Sequence, residues 1–320
     1  MKVVILHNRI EGTSTPDQAD VLKQVKLVSQ SLNWLGHQIK IMEMDENLRL
    51  DIQNILQEMP DVVFNLVESV FSKNELLYLA PALLQAFKIP YTGASVESLF
   101  LTTNKVLAKD QMKQAGIPTP HWYKADNFNR LSQEKKYILK PIREDGSVGL
   151  DAKAVFKPSD TDSMRQLSNI DPSNFFIEEY IEGKEFNISL LTHPDGPEVL
   201  SPAEMLFIDF PEDKEKIVSY DAKWNPNTFE YGHTRRIFHR IDEKGELIWK
   251  MRNIALQCWE VFGLKGYARV DIRVDREGNP FVLEINANPC ISPDSGFITA
   301  ALETGYTPRI VIKRILTDIN

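Results

Sequence analysis

The sequence predicts a protein of mixed α/β and α+β class that is divided into three blocks. The first hundred residues alternate short apolar runs with helical patterns, which is typical of a parallel sheet covered by helices. The middle of the chain shows short strands around one helix, and the last third contains two strands whose polar and apolar side chains alternate. We place the blocks at residues 1–98, 99–188 and 189–320.

The first block alternates strands and helices. Residues 16–35 keep apolar side chains at helical spacing, with Pro16 suited to a first turn and Gly36 to a helix end. The run DVVFNLV at 61–67 is apolar except at Asp61 and Asn65, as in a strand buried on both faces. The remaining predicted elements are the strands KVVILHN and HQIKIMEM, the helix ELLYLAPALLQAF, and the strand and turn KIPYTGAS.

The second and third blocks contain shorter elements. The second begins with the helix TTNKVLAKDQMKQAG, continues as strand, loop and strand in KKYILKPIREDGSVGLDAKAVF, and ends as two strands in NFFIEEYIEGKEFNISLL. In the third we predict strands at 198–208, 268–274 and 279–287 and a helix at 243–262. Residues 209–236 show no periodicity, and a loop of this length is usually functional or mobile.

The composition limits the classes of partner and the compartment. The chain has 320 residues, a net charge of −8 and a pI near 5.4, which argues against nucleic acid or an anionic membrane as its main partner. Its two cysteines, Cys258 and Cys290, form no disulfide framework. No run approaches the roughly 18 apolar residues of a membrane span, and the first residues do not follow a signal-peptide pattern. We therefore expect a cytoplasmic protein.

The runs RVDIRVD at 269–275 and FVLEINANP at 281–289 contain a candidate metal site. Alternate residues of a strand share a face, so Glu284 and Asn286 point the same way. The intervening REGNP favours a hairpin, and antiparallel pairing brings Asp271 near both. Two carboxylates and a carboxamide are oxygen ligands that suit Mg²⁺. The alternative is a solvated face of a surface hairpin.

Two further stretches contain candidate binding residues. Lys140 ends an apolar strand, and the small residues around Ser147 allow backbone N–H groups to approach phosphate oxygens. The alternative is an ordinary hairpin loop. Glu178 and Glu179 follow a buried strand, and Glu185 comes after the next turn. These acids suit a nucleoside pocket, and the alternative is that they are surface acids.

Eight stretches together resemble the ATP-grasp superfamily and, within it, the D-alanine–D-alanine ligase group. In chain order they are DVVFNLVES, IPYTGAS, TTNKVLAKDQMKQAGIPTP, ILKPIREDGSVGL, FIEEYIEGKEFNISLL, YDAKW, GLKGYARVDIRVD and VLEINANPCIS. They cover most of the chain from residue 61 onward. The resemblance implies a three-domain architecture with ATP held between the central and C-terminal domains.

The resemblance also implies which residues hold the nucleotide and its metal ion. The expected ATP contacts are the phosphate lysines Lys105 and Lys140, the adenine segment with Glu178, Glu179 and Ile181, and the ribose ligand Glu185. The expected ligands of Mg²⁺, or alternatively Mn²⁺, are Asp271, Glu284 and Asn286.

A second implied set acts on the transferred phosphate and on the other substrates. Arg269 falls where the family steadies the tetrahedral intermediate and the transferred phosphate. Lys223 falls on the lysine that covers the phosphates, and Ser147 on a loop serine near the substrates. Glu11 is expected to hold the ammonium of the first substrate, and Ser295 lies near the carboxylate of the acceptor.

The implied activity is ATP-dependent ligation of a carboxylate to an amine. The carboxylate attacks the γ-phosphate and gives an acylphosphate and ADP, and the amine then displaces phosphate. Water must be excluded from the acylphosphate, and we interpret residues 209–236, with Tyr220 and Lys223, as the lid. The resemblance also implies a homodimer formed through the first domain.

Several positions depart from the family pattern. Glu68 and Ser69 replace a histidine–glycine pair, Trp224 replaces a loop tyrosine, and Cys290 replaces a glycine. Most of these positions belong to the amino-acid end of the site, so we expect a ligase of amino acids whose substrate pair stays open. The alternatives are a ligase of specialised or cofactor metabolism and an inactive nucleotide-binding module. We interpret the basic run HTRRIFHR at 233–240 as a solvated face, with contact to ATP phosphates as the alternative.

Overall fold

The structure is a computed structural model of the whole chain. It describes residues 1–10, 15–44, 47–144, 146–150, 154–167, 170–212, 214–239 and 245–320. The strands are β1 (Lys2–Asn8), β2 (Gln38–Met44), β3 (Val62–Leu66), β4 (Trp122–Lys124), β5 (Tyr137–Pro141), β6 (Val155–Phe156), β7 (Phe175–Glu179), β8 (Gly183–Leu191), β9 (Glu198–Val199), β10 (Ala203–Phe207), β11 (Thr234–Phe238), β12 (Tyr267–Asp275) and β13 (Pro280–Ala287).

Helices connect and cover these strands. They are α1 (Pro16–Ala19), α2 (Val21–Trp34), α3 (Leu48–Glu58), α4 (Leu79–Ala86), α5 (Val96–Thr103), α6 (Lys105–Gln114), α7 (Thr161–Leu167), α8 (Tyr220–Trp224), α9 (Phe229–His233), α10 (Glu246–Val261), α11 (Gly296–Glu303) and α12 (Pro308–Thr317). Within the described ranges, none of them combines the length and the apolar character that crossing a bilayer requires.

The first sheet is parallel and has the order β2-β1-β3. Because side chains alternate along β1, Val3 and Ile5 pack against α2 and α12, whereas Val4 and Leu6 pack against α3 and α4. Burial on both faces explains why β1 and β3 are mostly apolar. The C-terminal helix α12 thus completes the core of the first sheet, although some 240 residues separate it from β3.

The second sheet is antiparallel, with the order β11-β10-β8-β12-β13 and β9 paired to β8. One face is apolar: Val270 and Ile272 pack with Met251 and Cys258 of α10 and with Met112 of α6. The predicted hairpin at 269–287 is confirmed as β12 and β13. The opposite face of the hairpin carries polar side chains.

The third sheet has the order β4-β7-β5-β6 and encloses a small core of its own. Its last long strand, β7, leads through a short turn into β8 of the second sheet. The predicted block boundary at 188/189 therefore falls inside β8. The division into three domains stays a prediction.

Three predicted elements differ from the structure. The strand predicted at 198–208 is divided into β9 and β10. The helix predicted at 16–35 is divided into α1 and α2 at Asp20. Residues 209–236, in which we predicted no regular structure, contain α8, α9 and the beginning of β11. Helices of five residues are too short to show a 3.6-residue periodicity, which explains why the sequence pattern did not indicate them.

Gly183 allows the chain to pass from the third sheet to the second. A Cβ at this position would overlap the backbone carbonyl of Val274 on the neighbouring strand β12. We expect Gly183→Ala to lower the free energy of unfolding by roughly 3 kcal/mol, because overpacking against backbone cannot be relieved by a rotamer change.

Gly278→Ala is the matched control, since Gly278 has a φ of +85° but open space around it. This variant should lose only the ~1–2 kcal/mol that a left-handed alanine costs. Urea unfolding of both variants measures the difference. Equal losses of unfolding free energy would contradict the conclusion that Gly183 is needed for its close approach to Val274.

Candidate active site

The β12–β13 hairpin places the predicted metal ligands side by side. Asp271 lies opposite Glu284, and Arg269 lies opposite Asn286. The register shifts between Asp271 and Ile272, so that β13 carries one extra residue at this point. Such a bulge re-aims side chains, as is common beside active sites. The extra residue allows the side chain of Val282 to pack in the core while that of Glu284 stays on the polar face.

Asp271 is held by three neighbours on this face. Arg269 donates to it twice, from Nε to Oδ1 at 2.7 Å and from Nη2 to Oδ2 at 2.8 Å. Asn187 Nδ2 donates to Oδ1 at 2.8 Å, and Asn286 Nδ2 donates to Oδ2 at 3.2 Å. Burial disfavours the charged guanidinium, but the charge of Asp271 outweighs it and raises the pKa of Arg269. The result is a fixed, charged pair.

Glu284 lies among positive side chains. Its Oε2 atom is 3.6 Å from Nζ of Lys105, which begins α6. Burial acts to raise the pKa of Glu284, but the charges of Lys105, Lys223, Lys140 and Arg269 overcome it and hold that pKa far below its usual range. Glu284 is therefore an anion, and several positive side chains surround it, although Arg269 is also paired with Asp271 and Lys140 with Glu178.

A buried lysine that the sequence analysis did not single out supports this cluster. Lys109 lies one turn after Lys105 on α6, is fully buried, and places Nζ 3.0 Å from Oε2 of Glu178. The other oxygen of Glu178 is 3.4 Å from Nζ of Lys140. Burial lowers the pKa of Lys109, and the charge of Glu178 opposes that shift. Glu178 thus fixes two lysines at the junction of α6 and β5.

Glu185 lies on the same polar face, opposite Arg273 of β12. It is buried and makes no ion pair with any other described residue. Burial raises its pKa, although the charge of Arg273 acts in the opposite direction. Arg273 instead donates to the carbonyl of Lys216 at 2.6 Å and stacks on Tyr180 at 4.8 Å. A buried carboxylate without a partner suits a hydroxyl-bearing ligand.

The predicted lid lies closed over the cluster. Ser147 Oγ donates to the carbonyl of Val218 at 2.7 Å, and Trp224 Nε1 donates to the carbonyl of Gly146 at 3.1 Å. The hydroxyl of Tyr220 donates to Asp17 at 2.8 Å. Burial and this hydrogen bond raise the pKa of Tyr220 to about 12. These three contacts join the lid to the 146–150 loop and to the first block.

Closure of the lid brings Lys223 of α8 into the cluster. Burial lowers the pKa of Lys223, and the nearby charge of Arg269 lowers it further, while Glu284 and Asp271 act in the opposite direction. Lys223 therefore lies close enough to Arg269, Glu284 and Asp271 for their charges to act on it.

The wall next to the first sheet carries acidic and amide side chains. Gln24 Nε2 donates to Glu68 at 2.8 Å, and the amide of Ile291 donates to Gln24 Oε1 at 3.0 Å. Cys290 donates to Asp20 at 3.0 Å, and burial raises the pKa of its thiol. Cys290 is therefore a neutral hydrogen-bond donor at neutral pH.

Four predicted site residues lie apart from the cluster or outside the described chain. Glu179 points away from Glu178 on β7 and pairs with Lys135 at the surface, at 2.9 Å. Ile181 lies in the turn between β7 and β8 and is half-buried. Glu11 lies outside the described residues. Ser295 caps α11 by accepting from the amide of Ile298 at 3.2 Å.

The family-model comparison identifies the family. Residues 112–317, almost two thirds of the chain, match the model described as D-ala D-ala ligase C-terminus. The chain belongs to the D-alanine–D-alanine ligase family. The predicted relationship is therefore confirmed.

Members of the D-alanine–D-alanine ligase family align with nearly the whole chain. The D-alanine–D-alanine ligase of Aquifex aeolicus is 27% identical over 324 aligned positions, which cover 99% of this chain and 100% of that protein. An uncharacterised protein of Sinorhizobium fredii is 28% identical over 302 positions, covering 90% of this chain and 85% of that one.

A solved structure of a D-alanine–D-alanine ligase shares the fold. The enzyme from Bacillus anthracis, complexed with ATP, has a TM-score of 0.74 at 17% sequence identity, over 99% of this chain and 96% of that chain. The predicted ATP-grasp fold is confirmed by this likeness, and the chain combines one parallel and two antiparallel sheets with helices.

The hairpin residues of this ligase-family chain fit a magnesium ion by their chemistry. Asp271, Glu284 and Asn286 provide hard oxygen atoms on one face. Across the described ranges, no group of three or more His, Cys, Asp or Glu side chains is arranged to hold a metal ion. A cation on this face would therefore complete its shell with water and phosphate oxygens, as Mg²⁺ commonly does.

Removal of Lys109 tests the buried ion pairs. We expect Lys109→Met to lower the free energy of unfolding by about 3–5 kcal/mol, because Glu178 would lose a fully buried partner. Lys113→Met is the control, since Lys113 is exposed on the same helix, and should change stability by less than about 0.5 kcal/mol. Urea unfolding measures both, and equal stabilities would contradict the pairing.

Proposed function

We propose that this chain is an ATP-dependent ligase that joins two amino acids by an amide bond through an acylphosphate. One observation carries the proposal: in a chain of the D-alanine–D-alanine ligase family, Arg269, Asp271 and Glu284 converge with Lys105 and Lys223 under a closed lid. Such an excess of positive charge around fixed carboxylates suits a polyphosphate.

We propose that the phosphates of ATP lie between Lys105, Lys140 and Lys223, where the cations outnumber Glu284. The carboxylate of Glu185, which has no ion pair among the residues that the structure describes, would accept from the ribose hydroxyls. Because lysines already hold the carboxylates of Glu178 and Glu179, residues 178–181 would contact the adenine mainly through their backbone.

The proposed ligands of Mg²⁺ are Asp271, Glu284 and Asn286. When bound, this ion would offset phosphate charge and orient the phosphate oxygens. Mn²⁺ accepts the same oxygen ligands and is the alternative ion.

The proposed reaction has two steps. A carboxylate oxygen of the first substrate attacks the γ-phosphorus and the bond to ADP breaks. The amine of the second substrate then attacks the acyl carbon, loses a proton and displaces phosphate. Arg269, fixed by Asp271, would stabilise the negative charge that develops in both steps. The lid contacts of Ser147 and Tyr220 would exclude water from the acylphosphate.

The substrate end is proposed from the charges of the wall. The carboxylate of Glu68 suits the ammonium of the first amino acid, a role that we also predicted for Glu11, whereas Asp20 is already paired with Lys23. Ser295 would lie near the carboxylate of the acceptor. Two D-alanines are the substrate pair that the related ligases suggest.

The inactive-module alternative is disfavoured because the cations and carboxylates of the cluster are all present. A panel of D- and L-amino acids with ATP and Mg²⁺, assayed for ADP release, decides between the remaining substrate pairs.

We also propose a cytoplasmic location, where ATP is available, and a homodimer, which light scattering of the purified chain would test.

The carboxylates of the hairpin test the metal assignment. We expect Glu284→Gln and Asp271→Asn each to lower kcat at least 100-fold, because each removes a charged ligand from the phosphate end. Glu277→Gln, at the exposed turn of the same hairpin, should keep normal turnover. ADP release measures all three variants, and near-normal activity of either site variant would refute the assignment.

Lys140 tests the phosphate site. We expect Lys140→Ala to weaken ATP binding about tenfold or more, because a half-buried cation beside the phosphates would be lost. Lys124→Ala, on the exposed strand β4 of the same sheet, is the control. Titration calorimetry with ATP and Mg²⁺ measures the affinities, and an unchanged affinity for the Lys140 variant would refute its role.

A further inference from the structure

Arg236 lies on the catalytic face of the second sheet. On β11 it is paired with Met205 of β10, and Met205 is paired with Glu185 of β8, which in turn lies opposite Arg273 of β12. Directly paired residues of neighbouring strands point to the same side of a sheet. The Arg236 side chain therefore projects from the face that carries Asp271. We had interpreted the run HTRRIFHR at 233–240 as a solvated face, and that interpretation is wrong at Arg236.

The guanidinium of Arg236 is half-buried and largely unused. Its Nη1 donates to Thr299 of α11 at 3.2 Å, and its Nε is buried without a hydrogen-bond partner among the described residues. It forms no ion pair with any described carboxylate. Burial lowers its pKa, and the like charge of Arg269 lowers it further. A guanidinium offers five donors, so most of its capacity is available to a ligand.

Gly296 makes room for this guanidinium at the start of α11. A Cβ on Gly296 would lie 3.4 Å from both Cζ and Nη2 of Arg236. A larger side chain at that position would displace the guanidinium. The small residue therefore lets Arg236 lie beside the first turn of α11.

Arg236 and the phosphate lysines flank Arg269 from opposite directions. Lys105 of α6 contacts Glu284 on β13, at one edge of the second sheet, whereas Arg236 lies on β11, at the other edge. If the triphosphate occupies the β13 side, a ligand of Arg236 belongs to the substrate that is not the nucleotide. In ligation, the reacting carboxylate of the first amino acid is consumed, whereas the carboxylate of the acceptor stays anionic throughout. A permanent cation suits the acceptor.

We infer that Arg236 determines acceptor specificity by binding a carboxylate of the amine substrate between β11 and the start of α11. The inference rests on the ligase activity proposed above and specifies the chemistry of its acceptor. The carboxylate is either the α-carboxylate or a side-chain carboxylate.

The test varies the acceptor at saturating ATP, Mg²⁺ and first substrate. Acceptor amino acids are compared with their α-amides, and aspartate and glutamate with asparagine and glutamine. In the wild-type chain we expect kcat/KM to favour the acid in at least one of these two comparisons. In Arg236→Gln that preference should fall roughly tenfold or more, because a buried charge pair is lost, while KM for ATP stays within about twofold. The comparison in which the preference falls identifies the carboxylate.

Three further variants separate this role from a structural one. Arg236→Lys should recover part of the preference, and Gly296→Leu should lose it although the arginine is present. Arg235→Gln should behave as wild type, because Arg235 is exposed and its hydrogen bonds to described residues go to the backbone carbonyls of Tyr231 and Thr234.

Two results would overturn the inference. The first is an equal loss of kcat/KM for acids and amides in Arg236→Gln, and the second is a rise in KM for ATP with the acid preference intact. If the wild-type chain releases no ADP with any amino acid, the proposed function fails and this inference fails with it. That outcome is distinguishable, because it appears before any variant is compared.

Discussion

The balance of charge at the β12–β13 hairpin is the constraint on which the active site depends. Asp271 and Glu284 face each other across the hairpin and would repel if nothing lay between or around them. Arg269 neutralises the first, and Lys105 with its neighbouring lysines holds the second as an anion. With Glu178 shared between Lys109 and Lys140, the cluster still holds more basic than acidic side chains, which suits an anionic ligand. The proposed use of ATP follows from that excess.

The three sheets contribute to this balance in different ways. The second sheet provides the polar face, α6 and the third sheet bring lysines to its β13 edge, and the first block holds the lid through Asp17 and Tyr220. Each contribution joins distant parts of the chain. The closed lid matters most for chemistry, because it adds Lys223 to the cluster and covers the place where an acylphosphate would form.

Local patterns predicted the hairpin and the first sheet, because alternation and continuous apolar runs are properties of single strands. They did not predict the bulge that turns Val282 into the core, since a one-residue register shift depends on the partner strand. The sequence analysis missed Lys109 because its burial depends on Glu178, which lies on another element. Its position four residues after Lys105 did indicate that both lysines share one face of α6. Arg236 was misread for the same reason, because α11 contributes its surroundings.

Diffraction from crystals grown with a non-hydrolysable ATP analogue and Mn²⁺ tests the central claim most directly, because manganese gives an anomalous signal. We expect an anomalous peak within bonding distance of Asp271, Glu284 and Asn286, with phosphates between it and Lys140. A nucleotide bound elsewhere, or a peak with none of these three side chains around it, would contradict the account.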